Sequence, residues 1–359
     1  MKFLFLTISS FSDFPAYKRA VGTGEALANM GHSVFIAVMD CEENRCRMEQ
    51  EAPHCTPLWF ATGNMFREIW VKINMIKYVK PDVVYSTSYS VRNLAFLRFM
   101  TSLKICWITE FCELYSRVPR TRLSWKLREL WASFESSRIL CASKYLELHF
   151  QHQLTILHIN RPILYSPYAY PNYLCRGGTS VNKEENKLIV FMATLWKKYG
   201  VYDVIAACRQ LMSLRSDFRL SILGGGPELD KVREYVINED LTSQIQVHGF
   251  VTEDQLDKYF SAASVFVAPL HDTLQDRSRC PSKIFYYIPY EKPIVTCRVG
   301  EPEFILGNYA FYYTCDDVFD MARAINAALD KSRGFSYPNG FISAHSWCAR
   351  AKQLEDWLS

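Results

Sequence analysis

Arg279-Cys-Pro-Ser-Lys-Ile-Phe-Tyr-Tyr-Ile-Pro-Tyr-Glu-Lys-Pro-Ile-Val-Thr296 reads as a loop, a helix opened by a proline, a turn at Glu291-Lys292-Pro293 and a buried strand. Pro281 suits the first turn of a helix, where a missing N–H costs nothing. Ser282 and Lys283 follow at the positive end of the helix, with Arg279 just upstream. Free N–H groups beside two cationic side chains make an anion site, most naturally for a phosphate. A surface helix with a basic start is the alternative, and the rest of the chain has to decide.

Working outward, the second half repeats a strand–helix rhythm. Leu188–Ala193, Phe218–Leu223, Ile245–Phe250, Val265–Leu270 and Ile294–Cys297 read as strands. Tyr202–Leu214, Leu229–Ile237 and Glu253–Ala262 read as helices between them. The first half does the same. Phe3–Ile8, Val34–Met39, Pro81–Tyr85, Lys104–Thr109 and Ser137–Ala142 are short runs read as strands of the kind covered on both faces in a parallel sheet. Helices are expected over about Lys18–Met30, Met65–Tyr78 and from Ser143-Lys144 onward, and residues 41–60 read as irregular. Two successive βαβ series in 359 residues argue for two Rossmann-like domains. The polar, glycine-containing stretch from Pro171 to Lys187 separates 1–170 from 171–341, and the final helix over 342–359 carries Trp347 and Trp357.

Composition is that of an ordinary globular chain, 49% hydrophobic and 22% charged. A net charge of +4 makes no case for nucleic acid. The twelve cysteines are scattered singly with no C-x-x-C, which fits free thiols in a reducing cytoplasm and gives no metal spacing. Met1–Ile8 is too short and too soon interrupted for a signal peptide, and no apolar run reaches membrane-span length. Arg117–Arg128 holds five cations and no acid, with Trp125 and Trp131 nearby. It reads either as a solvated basic face or as a dock, at 117–131, for anionic lipid at the inner face of the membrane or for a phosphorylated acceptor.

The motifs in order resemble the retaining GT-B glycosyltransferases of group 1, the family 4, mannosyltransferase and glycogen-synthase-like type. They are Ala193-Thr-Leu-Trp-Lys-Lys-Tyr-Gly-Val201, Leu220-Ser-Ile-Leu-Gly-Gly-Gly-Pro227, His248-Gly-Phe250, Ala268-Pro-Leu, Pro281-Ser-Lys-Ile-Phe-Tyr-Tyr and Lys292-Pro-Ile-Val. Gly31-His-Ser-Val and Lys80-Pro-Asp-Val-Val84 fit the acceptor-side domain more loosely. The resemblance implies a nucleotide sugar, UDP- or GDP-linked, held by the second domain, and a glycan or polyprenyl-diphosphate-linked acceptor held by the first. Transfer is then expected in a cleft between them, with retention and without a bound metal or other cofactor, in cell-surface polysaccharide biosynthesis.

By the same carry-over, Lys197 or Lys198, with Lys198 preferred, binds the donor diphosphate. Lys283 and Ser282 are further candidates at the proline helix. Gly225 in its glycine turn allows close approach of the nucleotide, and Phe250 lies near the base. Gly22 is read as either phosphate approach or close helix–sheet packing. Glu110 and Glu113, at the edge after the Lys104–Thr109 strand, are candidates to orient or deprotonate the acceptor hydroxyl. The chain departs from the family in two respects. Ser278 and Tyr286 stand where a pair of glutamates is usual, and Thr194 stands where an arginine is common, so Arg279 is read as a replacement charge. Tyr286 can still hydrogen-bond a hydroxyl. The lost glutamates leave two other readings open, a non-catalytic binding protein with a degenerate donor site and a nucleotide-sugar epimerase.

Overall fold

The computed structural model describes residues 1–7, 15–61, 63–88, 97, 104–114, 122–170 and 187–359. The 171–186 part of the expected linker, residues 117–121 of the basic segment and Ile8 lie outside them. Two compact units result: Met1–Asn172 with Ser278–Cys280 and Ser343–Ser359, and Tyr173–Arg277 with Pro281–Ile342.

The first unit is built on β1 (Lys2–Leu6), whose Phe3 to Leu6 are fully buried because the strand is covered on both faces. Around it lie β2 (Ser33–Met39), β3 (Thr56–Phe60), β4 (Val83–Ser86), β5 (Cys106–Phe111), β6 (Arg138–Cys141) and β7 (Ile163–Tyr165). Their order is β3-β2-β1-β4-β5-β6-β7, all parallel. The chain winds outward from β1 one way and then returns to β4 on the other side. Right-handed crossovers then place the Pro15–Asn29 and Glu42–Glu51 helices on one face and the Met65–Val79, Arg122–Glu135 and Lys144–Ile156 helices on the other. The second face is sealed by one core that joins Leu4, Val84 and Trp107 to Ile69, Ile73, Ala132 and Phe150.

The second unit contains β8 (Lys187–Met192), β9 (Phe218–Leu223), β10 (Ile245–Gly249), β11 (Val265–Ala268), β12 (Ile294–Cys297) and β13 (Ala310–Tyr313). The order is β10-β9-β8-β11-β12-β13, again parallel. Here β8 and β11 are neighbours whose following connections run to opposite sides, so the topological switch lies at their C-terminal ends.

Two expectations need correction. Residues 41–60 are not irregular: they form the Glu42–Glu51 helix and β3. The helix buries only Asn44 and Met48, so it carries no apolar periodicity to detect. β3 is an edge strand, half-exposed and bearing Pro57, which an edge tolerates. The last helix also breaks into Phe341–Ala344 and Trp347–Leu358, because Ser346 caps a fresh start by accepting from Ala349 N at 3.1 Å. No helix among the described residues is long and apolar enough to cross a membrane. None of the described cysteines is in a disulfide.

Candidate functional site

In the second unit, the loops after β8, β9 and β10 are fastened to one another through their main chains. Leu195 N donates to Gly225 O at 2.8 Å, Glu228 N to Leu195 O at 3.0 Å, and Gly224 N to Gly249 O at 2.7 Å. Gly224 has φ +135°, and a Cβ there would collide with the carbonyl oxygen of Ala193. At Gly226 (φ +150°) a Cβ would lie 2.7 Å from Leu195 N and O. These two glycines therefore serve close approach of the chain to itself. Gly225 faces Phe250, whose Cβ lies 3.6 Å from where a Gly225 Cβ would be. Phe250 is 75% exposed, and Trp196 on the neighbouring loop is 48% exposed. Two aromatic faces thus stand open to solvent beside the glycine turn.

Lys197 and Lys198 are exposed on a 3-10 turn, Lys197–Tyr199, that follows β8. Gly200 ends the turn in the left-handed region (φ +75°) and packs so tightly on Pro269, after β11, that a Cβ would sit 2.8 Å from Pro269 Cγ. The two loops of the switch point are thereby locked together. Glu228 lies below the usual carboxylate range chiefly because Lys231 and Tyr202 donate to it, and the charge of Lys197 adds to the effect. Lys198 stays 5.1 Å from the ring of Tyr199.

The proline helix is Ser282–Tyr287, only six residues long, and it passes into a 3-10 turn at Ile288–Tyr290. Pro281 is its N-cap and not its first helical residue. So short a helix has a weaker dipole than the sequence led one to expect, and the side-chain cation carries more of the anion-binding burden. Tyr287 fixes the helix to β8: its hydroxyl oxygen accepts from the Met192 N–H at 3.0 Å, and its ring stacks on Phe266 at 4.2 Å. Burial pushes the Tyr287 phenol up, so it stays neutral. Lys283, one turn earlier, holds its Nζ 5.0 Å from the ring of Phe191, the residue before Met192 at the same C-terminal end of β8. Ser282 is half-buried and Tyr286 is buried, 7% exposed.

Arg279 falls elsewhere. Ser278–Cys280 clusters with the first unit. There Ser143 Oγ donates to Ser278 O at 2.6 Å and Tyr168 N donates to Cys280 Sγ at 3.4 Å. The expected replacement charge is therefore held in the body of the other unit. The second unit contains Lys197, Lys198, Gly225, Phe250, Ser282, Lys283 and Tyr286, while Arg279, Glu110, Glu113 and Gly22 belong to the first.

Glu110 lies within β5 and not beyond it, and its side chain is fully buried. It pairs with Arg19 of the Pro15–Asn29 helix. Tyr85 Oη donates to its Oε2 at 2.9 Å and Cys112 Sγ to its Oε1 at 3.3 Å. Arg19 also donates to Ser166 O at 2.7 Å and lies 6.0 Å from the Trp347 ring. Burial pushes the Glu110 carboxyl up against the pull of Arg19, and it pushes the Tyr85 phenol and Cys112 thiol well up as well. With both oxygens engaged, Glu110 fits a structural ion pair better than the acceptor base it was read as. Glu113 is half-buried and is the more accessible of the two. Gly22 is spent on packing: a Cβ there would collide with the indole of Trp347, so its alternative reading, close packing, is the one the geometry favours, although the neighbour is a helix.

Sequence reasoning passed over His271 and took His248 only as part of a motif. His271 follows the Ala268-Pro-Leu motif at the switch point, takes Asp316 on Nδ1 at 2.8 Å, and has Asp203 3.6 Å from Nε2. The signal was its place one residue beyond the motif. His248 sits between Ser221 Oγ (3.1 Å) and Tyr259 Oη (3.0 Å), and burial lowers its pKa. A histidine whose folded pKa is depressed resists protonation, so its contribution is fully present above about pH 6.5 and is lost as pH falls below that value. His248→Gln is expected to flatten part of the decline in melting temperature between about pH 6.5 and 5, followed by thermal melts across that range.

Comparison with known proteins agrees with this architecture. Residues 186–331 match the family model for Glycosyl transferases group 1. Over 119 residues the chain is 29% identical to the putative colanic acid biosynthesis glycosyltransferase WcaL of Salmonella typhimurium, and likewise to that of Escherichia coli. The match covers 33% of this chain and spans only 29% of the length of those relatives. Among solved structures, a glycosyltransferase from Rickettsia africae superposes with TM-score 0.74 at 12% identity, over 99% of this chain and 97% of that one. HepE from Anabaena, solved with UDP and glucose, gives TM-score 0.74 at 12% identity over 100% and 99% of the two chains. Sucrose-phosphate synthase from Thermosynechococcus elongatus gives 0.72 at 14% identity, over 100% and 98%. The chain has the GT-B fold, and residues 186–331, most of them in its second unit, are similar to the group 1 glycosyltransferases.

Proposed function

We propose that this chain of GT-B fold is a glycosyltransferase that moves a sugar from a nucleotide-sugar donor to a hydroxyl of a glycan or lipid-linked acceptor in the assembly of a cell-surface polysaccharide. The observation that carries the reading is the placement of Lys198 and Lys283 about the C-terminal end of β8, inside the stretch that matches the family. As the glycosidic bond to the donor breaks, negative charge grows on the departing diphosphate, and fixed cations at that edge lower the barrier. The open faces of Phe250 and Trp196 suit a nucleobase. Retention of configuration and independence from a metal belong to the same reading. HepE, solved with UDP-glucose, makes a UDP-sugar the first donor to try. Attachment of the 117–131 segment to an anionic membrane, at the cytoplasmic side, completes it.

The test is a thermal-shift series with UDP, GDP, ADP and dTDP. One of them at 100 times its dissociation constant should stabilise the fold by about 2.7 kcal/mol. No shift with any of the four would favour the binding-protein alternative, which the absence of both family glutamates at Ser278 and Tyr286 keeps in play. Conversion of a nucleotide sugar without an acceptor would instead identify an epimerase.

A further inference from the structure

The Met65–Val79 helix has a second apolar face that the core does not use. Ile69, Ile73 and Ile76 are buried in the first unit, whereas Phe66, Trp70 and Tyr78 are 66–77% exposed, spaced by fours and eights along one stripe. Arg67 and Lys77 flank them, both exposed. The helix's only acid, Glu68, is buried and paired with Lys72 at 2.7 Å. The Arg122–Glu135 helix repeats the arrangement. Leu123, Leu127, Trp131 and Phe134 are exposed beside exposed Lys126 and Arg128, while Glu129 is buried against His149 at 3.0 Å. Both helices seal the same side of the sheet through one core, so both stripes look outward from that side.

We propose that these two helices form one docking surface for an anionic lipid bilayer, with the Met65–Val79 helix as a second insertion element beside the basic segment. Charge selects the occupant. Among the described side chains of the two helices, every exposed charge is positive, and Glu135 at the end of the second helix is half-buried. A second copy of this chain on that face would set cation against cation. Trp and Tyr beside Lys and Arg is the composition that settles at a headgroup boundary, where each cation near an anionic surface is worth about fivefold in partitioning. This inference rests on the membrane part of the reading above and extends it to a helix that part does not include.

The experiment is flotation of the full chain with phosphatidylcholine vesicles, plain or containing about a third phosphatidylglycerol. The unaltered protein is expected to float only with the anionic vesicles and to be released by salt. Arg67→Glu with Lys77→Glu should weaken partitioning at least about 25-fold, and Phe66→Ser with Trp70→Ser about tenfold. All four positions are exposed, so melting temperatures should not move. Should both pairs float like the unaltered protein while Lys126→Glu with Arg128→Glu does not, the second insertion element is overturned and the basic segment alone docks. Absence of flotation, or equal flotation with neutral vesicles, overturns the surface altogether and leaves an acidic protein partner to be sought. Flotation retained in a protein that shows no nucleotide thermal shift supports the surface while removing the sugar-transfer reading.

Discussion

Arg19→Ala is expected to destabilise the first unit by about 3–5 kcal/mol, because it leaves the Glu110 carboxylate buried without its counter-charge. Both partners are sealed from solvent, at 4% and 0% side-chain exposure, so no rearrangement at the surface can rehydrate the one left behind. The lost guanidinium also releases the Ser166 carbonyl and its contact with the Trp347 ring. Glu110→Gln should be milder, since an amide oxygen still accepts from Tyr85, but its N–H₂ then faces Arg19. Arg19→Met with Glu110→Leu should recover most of the loss, because a matched apolar pair carries no desolvation penalty. Urea unfolding of the four proteins measures this. The series also separates two roles for Glu110. A general base would lose turnover on conversion to Gln and keep its stability, whereas a structural ion pair loses stability first. Full stability in Arg19→Ala would mean that the pair is not formed.

What could be read in the sequence follows from how much water each segment excludes. β1, β5, β9 and β12 are covered on both faces, so their apolar runs stood out and their bounds came within two residues. β3 and the Glu42–Glu51 helix contact the core through a few atoms only, and nothing periodic marks them. Function was legible where a motif is local. Lys198, Gly225 and Phe250 follow the ends of β8, β9 and β10, which the alternation of β and α locates, and Lys283 is placed by the proline helix that precedes β12. Glu110 lies in a strand and not in the expected loop, because β5 runs two residues further and buries it. Arg279 lies outside the unit the sequence put it in because a chain segment of three residues joins the other unit, which no spacing rule records. Gly22 needed its partner, Trp347, from more than three hundred residues away.

Lys198→Ala is expected to lower sugar transfer by about 10²–10³-fold while leaving the melting temperature of the free protein unchanged. The side chain is exposed and packs only along Tyr199, so its removal opens no cavity and strands no buried partner. Its charge is also uncommitted: among the described residues Lys198 has no carboxylate pair, whereas the field of Lys197 is partly answered by Glu228. Lys197→Ala should therefore cost much less. Lys283→Ala is the harder case, because its Nζ lies over Phe191 and the stem contributes packing as well as charge. Lys283→Met keeps the stem and isolates the charge. Steady-state kinetics with the donor found by thermal shift decide the matter. If the loss falls in kcat and kcat/KM alike, the lysine acts on the diphosphate as it departs; if KM alone rises, it holds the donor without easing bond cleavage. An unchanged rate in Lys198→Ala would move the diphosphate away from the end of β8, and with it the assignment of the proline helix.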